Sequence, residues 1–168
     1  MAKNDARSIF ITGLRNAHAM ESQAQELTER QSERLTDYPE VQQRVRQHLE
    51  ETKEQIRRLD QCLESLGESR SALKDAGLSF LGNMMAGSHA MADDEILKNS
   101  FGNYAFEHYE IAAYKSLLVM AEQLGMESAR SLLQQSLREE QNMAKWIDDH
   151  LRDVTIQYMR HEELEAAR

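Results

Sequence analysis

Apolar residues recur along this chain at three- and four-residue intervals in four long segments, the spacing that lines one face of an α-helix. The first segment, from about residue 5 to 35, carries Phe10, Leu14, Ala17, Ala24, Thr28 and Leu35 on its stripe, and Asn4 or Asp5 can cap its start. Thr36-Asp37-Tyr38-Pro39 closes that helix and opens the next. Asp37 or Thr36 offers a cap, and Pro39 suits a first helical turn, where its missing N–H costs nothing. The second segment ends near Leu66, with Gly67 as a natural stop, and its stripe is Val45, Leu49, Thr52, Ile56, Leu59 and Leu63. The third starts near Asp93-Asp94-Glu95, acids that favour a helix N-terminus, and stops at Gly125. Its stripe is Phe106, Ala113, Leu117, Met120 and Leu124. The fourth runs from about Glu127 to Val154 or beyond on Leu133, Leu137, Ala144, Ile147 and Leu151, and the charged tail RHEELEAAR frays or extends it.

Residues 67 to about 93 break the rhythm. Ser69 to Asn83 predicts a short helix built on Leu73, Ala76, Leu78, Phe80 and Leu81, and Gly82, Gly87 and NMMAGSHAMA predict a turn. A connection this long does more than close a hairpin; it reaches from one end of a four-helix bundle to the other. The expected fold is all-α: a four-helix bundle with a long crossover connection carrying a short extra helix, a single domain over residues 1–168.

Composition agrees. The chain has 168 residues, enough for one domain with a real core, and only 1 Pro and 7 Gly. Val and Ile are scarce, and no alternating run predicts a strand. A net charge of −9 argues against a nucleic-acid binder. The start MAKNDARSIF reads as neither a basic tail nor a signal peptide, and no stretch approaches about 18 consecutive apolar residues, so no membrane span is expected. The one cysteine, Cys62, fits a reducing cytoplasm.

Four glutamates interrupt the apolar pattern. Glu21 lies inside the first stripe, roughly 20° from Phe10 at 100° per residue, and Glu110 lies roughly 40° from Phe106. Glu140 is near the centre of the fourth face, whereas Glu51 lies further round its helix and is the weakest of the four by phase. Glu21 to Glu51 is 30 residues, and Glu110 to Glu140 is again 30. Two helical hairpins would each bring one carboxylate per helix to a common depth. Converging carboxylates cannot stay charged and buried without a cation or protons between them, and a pair of divalent metal ions is one natural answer. Taken singly, each glutamate has a plainer explanation as a boundary residue whose head reaches solvent.

Histidine supports the metal idea in part. His18 precedes Glu21 by three residues and His48 precedes Glu51 by three, so each can project with its glutamate from one face. In the second hairpin the matching positions are Glu107, a carboxylate on the flank of the third stripe, and Leu137, which cannot be a ligand. His108 faces away from Glu110, and His89, His150 and His161 have no partner at ligand spacing. Met84, Met85 and Met91 cluster in the connection, where packing or a partner contact explains them better than a soft metal. Tyr109 and Tyr114 are packing residues, second donors beside the acids, or radical-quenching groups. There is no Gly-rich phosphate loop, GxSxG, CxxC or HExxH.

The segments HAMESQAQ (18–25), YPEVQQRVRQHLEETKEQI (38–56), FEHYEIAAY (106–114) and REEQNMAKW (138–146) resemble the bacterial stress proteins of the YciE/YciF type, a ferritin-like group, and three of the four resemble the YciE branch most. The resemblance spans the chain. It implies a ferritin-like four-helix bundle and a cytoplasmic homodimer, with a protein of the same family as a candidate partner. It also implies a dimetal centre with iron (Fe) as the default ion and manganese (Mn) as the alternative. On that pattern Glu21, Glu51, Glu110 and Glu140 are the metal ligands, with Glu107 and His48 as supplementary candidates. Glu51 and Glu140 would bridge the ions, and Glu21 and Glu110 would be terminal. The chain departs from the usual Glu-x-x-His pairs: Glu54 follows Glu51 by three residues and Met143 follows Glu140. A carboxylate-rich, imidazole-poor site favours Mn(II) or Fe(II) weakly.

The expected function is a dimetal carboxylate protein reacting with oxygen or peroxide under stress. Iron storage fits less well, because no signature of a closed shell is evident. The competing expectation is a non-enzymatic helical protein that acts through partners and carries a degenerate site.

Overall fold

The computed structural model describes residues 5–68 and 95–167. Four helices account for nearly all of them: α1 (Ala6–Arg34), α2 (Pro39–Ser65), α3 (Glu95–Gln123) and α4 (Glu127–Ala166). The expected short helix over 69–83, and with it Met84, Met85, His89 and Met91, lies outside the described residues.

The ends follow local chemistry. Asp5 caps α1, its carboxylate accepting from the Arg7 N–H at 3.4 Å. The cap of α2 differs from expectation. Tyr38, not Thr36 or Asp37, is its N-cap and contributes no side-chain bond, because Pro39 takes the first helical position and fixes the start one residue later. Gly67 (φ 78°) and Gly125 (φ 65°) end α2 and α3 in the left-handed conformation that glycine adopts without strain. At each, a six-to-one and a five-to-two backbone bond satisfy the last carbonyls: Glu68 to Leu63 and Gly67 to Glu64, then Met126 to Ala121 and Gly125 to Glu122. The charged tail extends α4 to Ala166.

Cross-helix bonds define the topology. Gln31 of α1 meets Asn103 of α3 while Glu21 meets Tyr114, so α1 and α3 are antiparallel. Gln55 and Arg58 of α2 meet Glu139 of α4, and Glu40 meets His150, so α2 and α4 are antiparallel too. With α1 and α2 joined by a tight turn, α2 and α3 must run in the same direction. The chain from Ser65 to Glu95 therefore returns the length of the bundle, about 40 Å for a 27-residue helix. This is the ferritin-like connection.

Among the described residues, two apolar clusters fill the interior. The larger contains Phe10, Leu14, Leu59, Leu63, Tyr114, Leu117 and Leu133; the smaller contains Leu35, Val45, Ile96, Met143, Ile147 and Val154. Between them lies a layer in which Glu21, His48, Glu107, Glu110 and Glu140 are all buried. Phe10 is fully buried in the larger cluster. Phe10→Ala should cost about 3–5 kcal/mol, read as a lower denaturant midpoint with an unchanged slope.

Candidate metal centre

Each helix delivers its side chain to the polar layer by phase. On α3, Glu107, Glu110 and Tyr114 follow an i, i+3, i+7 pattern and all three are buried. On α2 the inward residues are His48, Thr52, Gln55 and Leu59, and Glu51 falls to one side of that row. Glu21 of α1 and Glu140 of α4 each reach the centre with no exposure at all.

The structure brings His48, Glu107, Glu110 and Glu140 together, with one potential ligand atom from each lying within 4.8 Å of the others. His48 is the hub. Its Nε2 stands 3.3 Å from Glu107 Oε1 and 3.7 Å from Glu140 Oε2, and its Nδ1 stands 3.1 Å from Glu51 Oε2. Glu21 borders the group and accepts the Tyr114 hydroxyl on Oε1 at 2.6 Å. Tyr114 is thus a donor beside the acids, one of the roles expected of it, but its carboxylate is Glu21 across the bundle rather than nearby Glu110.

Glu51 is not brought into this group. Its side chain is 21% exposed and accepts from Arg44 Nη1 at 3.2 Å as well as from Gln47 at 3.0 Å. It lies behind His48 and holds the ring from the outer side. His18 likewise does not join Glu21: its Nε2 pairs with Asp60 of α2 at 3.2 Å. Gln55 is a site residue that the apolar stripes do not reveal. It is fully buried, and its Nε2 donates to Glu140 Oε1 and to Glu139 Oε2. A glutamine on the inward row of α2 is the one signal the sequence offers for it.

Protonation shows the cost of assembling these acids. Burial raises Glu21 from about 4.5 to about 8, although the Tyr114 bond pulls the other way. Burial, reinforced by Glu21 and by the neighbouring acids, also pushes Glu110 and Glu140 well above the carboxylate range. His48 responds oppositely to what burial alone would do: Glu107, Glu51 and Glu140 together keep its cation favoured well above the ordinary histidine value. Glu51, despite partial burial, is lowered by His48 and Arg44.

The donor set fits a metal. Five carboxylate oxygens, namely Glu21 Oε2, Glu107 Oε2, both oxygens of Glu110 and Glu140 Oε2, are buried without a hydrogen-bond donor. Acceptors in that number without donors need either protons shared between carboxyls or a cation. The arrangement can gather divalent ions on hard oxygen ligands with one imidazole whose far nitrogen is fixed by an acid, a standard way of orienting a metal-binding histidine.

Fold and site together define a ferritin-like helical bundle with a buried His/Glu cluster capable of coordinating metal. A family model described as "Domain of unknown function (DUF892)" matches residues 5–160, and the chain belongs to that family. Protein YciF of Escherichia coli is 32% identical over 155 residues, covering 88% of this chain and 89% of that protein. The crystal structure of the E. coli stress protein YciF superposes with a TM-score of 0.70 at 29% identity, covering 92% of this chain and 98% of that one. A structure from Xanthomonas campestris pv. campestris reaches a TM-score of 0.79 at 30% identity, covering 95% and 99%. Among the described residues, no helix is long and apolar enough to cross a membrane.

Proposed function

We propose that this protein holds a pair of iron or manganese ions in the centre of its bundle and reacts them with oxygen or peroxide in a bacterial stress response. The observation that carries this reading is the set of five buried, donorless carboxylate oxygens around His48. His48, Glu107, Glu110 and Glu140 are the primary ligands, and Glu21 completes the set from α1. His48 replaces Glu51 as the ligand from α2, and Glu51 orients its ring through Nδ1. The metal supplies the redox chemistry toward oxygen or peroxide. The chain does the rest: the apolar clusters on either side exclude water, and Tyr114 fixes one oxygen of Glu21 so that the other faces the centre. Likeness to the E. coli stress protein YciF supports the stress role. The segments 18–25, 38–56 and 138–146 support a position beside the YciE branch, and a cytoplasmic location belongs to the same reading. Exposed Phe101, Tyr109 and Val119 on α3 suit a homodimer contact.

Protons take the metal's place in the free protein, and this makes a pH prediction. Glu21 titrates near 4.5 unfolded and near 8 folded. Between those values the folded state holds a proton that the unfolded state has released, so stability falls as pH rises, by about 1.4 kcal/mol per pH unit for one such group. Glu110 and Glu140 act in the same direction. His48 does too, its contribution being complete below the unfolded value of 6.5 and lost as pH passes its raised folded value. Among the described residues, only Glu51 opposes, losing its contribution as pH falls through its lowered value. Metal-free protein should therefore melt at a lower temperature at pH 8 than at pH 5. Anaerobic Fe(II) or Mn(II) should bind in near-stoichiometric amounts, release protons and abolish that fall. Failure to take up either ion, with melting unchanged by both, would favour the partner-protein reading instead.

A further inference from the structure

Arg58 of α2 is not among the proposed ligands, yet a chain of hydrogen bonds runs from it to a ligand on another helix. Its guanidinium grips Glu139 with two nitrogens, Nη1 to Oε2 at 2.6 Å and Nη2 to Oε1 at 2.8 Å. Glu139 accepts Gln55 Nε2 at 3.0 Å, and the same Gln55 nitrogen donates to Glu140 Oε1. Arg58 Nη1 also donates to Ser136 Oγ at 3.2 Å, and separately Tyr114 donates to Glu21 Oε1 at 2.6 Å. Gln55, Ser136 and Tyr114 are fully buried, and Arg58 is only 9% exposed.

The layout has a mechanical consequence. Glu21 on α1 and Glu140 on α4 stand at diagonal corners of the bundle, so no direct helix packing fixes one against the other. The chain to Glu140 begins at one planar, permanently charged group whose fork geometry tolerates little rotation. Gln55 holds Oε1 of Glu140, and Tyr114 holds Oε1 of Glu21. In each carboxylate the remaining oxygen, Oε2, is the one without a donor.

We propose that Arg58 is a positioning residue that sets, through Glu139 and Gln55, which oxygen of Glu140 faces the metal centre. The inference rests on the metal reading above and assigns roles to residues that are not themselves ligands. Groups that orient ligands from behind typically change metal affinity about 10- to 100-fold when removed.

The test uses the full-length protein and Co(II), whose visible absorption reports ligand geometry. Gln55→Met keeps the volume and removes the amide. Arg58→Lys keeps the charge and removes the fork. Both variants should bind Co(II) about 10- to 100-fold more weakly than wild type, with a shifted absorption spectrum. A merely structural role would lower the melting temperature and leave spectrum and affinity alone, and that result overturns the proposal. If Gln55→Met fails to fold, Arg58→Lys carries the same comparison alone. Wild-type protein that takes up no Co(II), Fe(II) or Mn(II) overturns the metal reading and this inference together. Normal uptake by wild type and by both variants, with unaltered spectra, overturns this inference alone.

Discussion

His48→Ala should abolish stoichiometric metal binding, whereas Glu51→Ala should weaken it only about 10- to 100-fold and leave the stoichiometry intact. The difference comes from which side of the imidazole each group occupies. Nε2 faces Glu107 and Glu140 at 3.3 and 3.7 Å, inside the buried cluster. Nδ1 faces Glu51, which is tied to Arg44 and Gln47 at the bundle surface. Removing the ring deletes the single nitrogen donor among acids that already repel one another. Removing the Glu51 carboxylate frees the ring to turn but leaves all the inward donors in place. Equilibrium titration with Fe(II) or Mn(II), with metal counted per chain, checks both variants. The opposite outcome, with Glu51→Ala losing the metal and His48→Ala keeping it, would restore Glu51 as a bridging ligand and reject His48 as the ligand from α2.

Glu110→Leu should make the metal-free protein more stable while destroying metal binding. Both oxygens of Glu110 are buried without a donor, and burial together with Glu21, Glu140 and Glu107 holds the carboxyl neutral far above its usual range. Leucine is close to it in size and has no polar atom to desolvate. Replacing poorly satisfied buried ionisable groups with apolar ones is commonly stabilising by about 1–4 kcal/mol. For a chain of this size, each kcal/mol moves the melting temperature by about 2–4 °C, so a rise on the order of 5 °C at pH 7.5 is expected. Leucine also removes the raised titration of Glu110 itself, so the fall in stability with rising pH becomes shallower. Thermal melts with and without metal decide the matter. A drop in stability of similar size would mean that the Glu110 carboxyl is a satisfied part of a structural polar core, as the partner-protein reading requires. A gain in stability that accompanies lost binding is the pattern expected of a functional site.

Much of this arrangement is legible in the chain. Glu21, Glu110 and Glu140 stand out because each sits in the middle of an apolar stripe, and stripe phase is a property of one helix. Glu107, on the flank of its stripe, is as inward as Glu110 because α3 turns a face wide enough to bury both. The matched 30-residue spacing keeps its meaning only in the second hairpin. In the first, His48 rather than Glu51 faces the buried acids, and a rotation of about 60° around α2 separates the two readings. The same rotation puts Gln55 and Arg58 toward α4. No local pattern signals their bonds, since the partners lie between 78 and 85 residues away.

By itself, then, the sequence determined four helices, where three of the connecting points fall, and that carboxylates on at least three of those helices point inward. These follow from short-range physics: hydrophobic periodicity, a capping aspartate, a proline at a first turn and glycines at positive φ. Only the tertiary structure decided which of those groups meet. It seated His48 rather than Glu51 among the acids, turned Tyr114 onto Glu21, and linked Arg58 through Glu139 and Gln55 to Glu140. Those outcomes depend on how each helix rotates as its apolar stripe packs against two neighbours at once, and a side chain's partner is settled by that rotation rather than by its own segment.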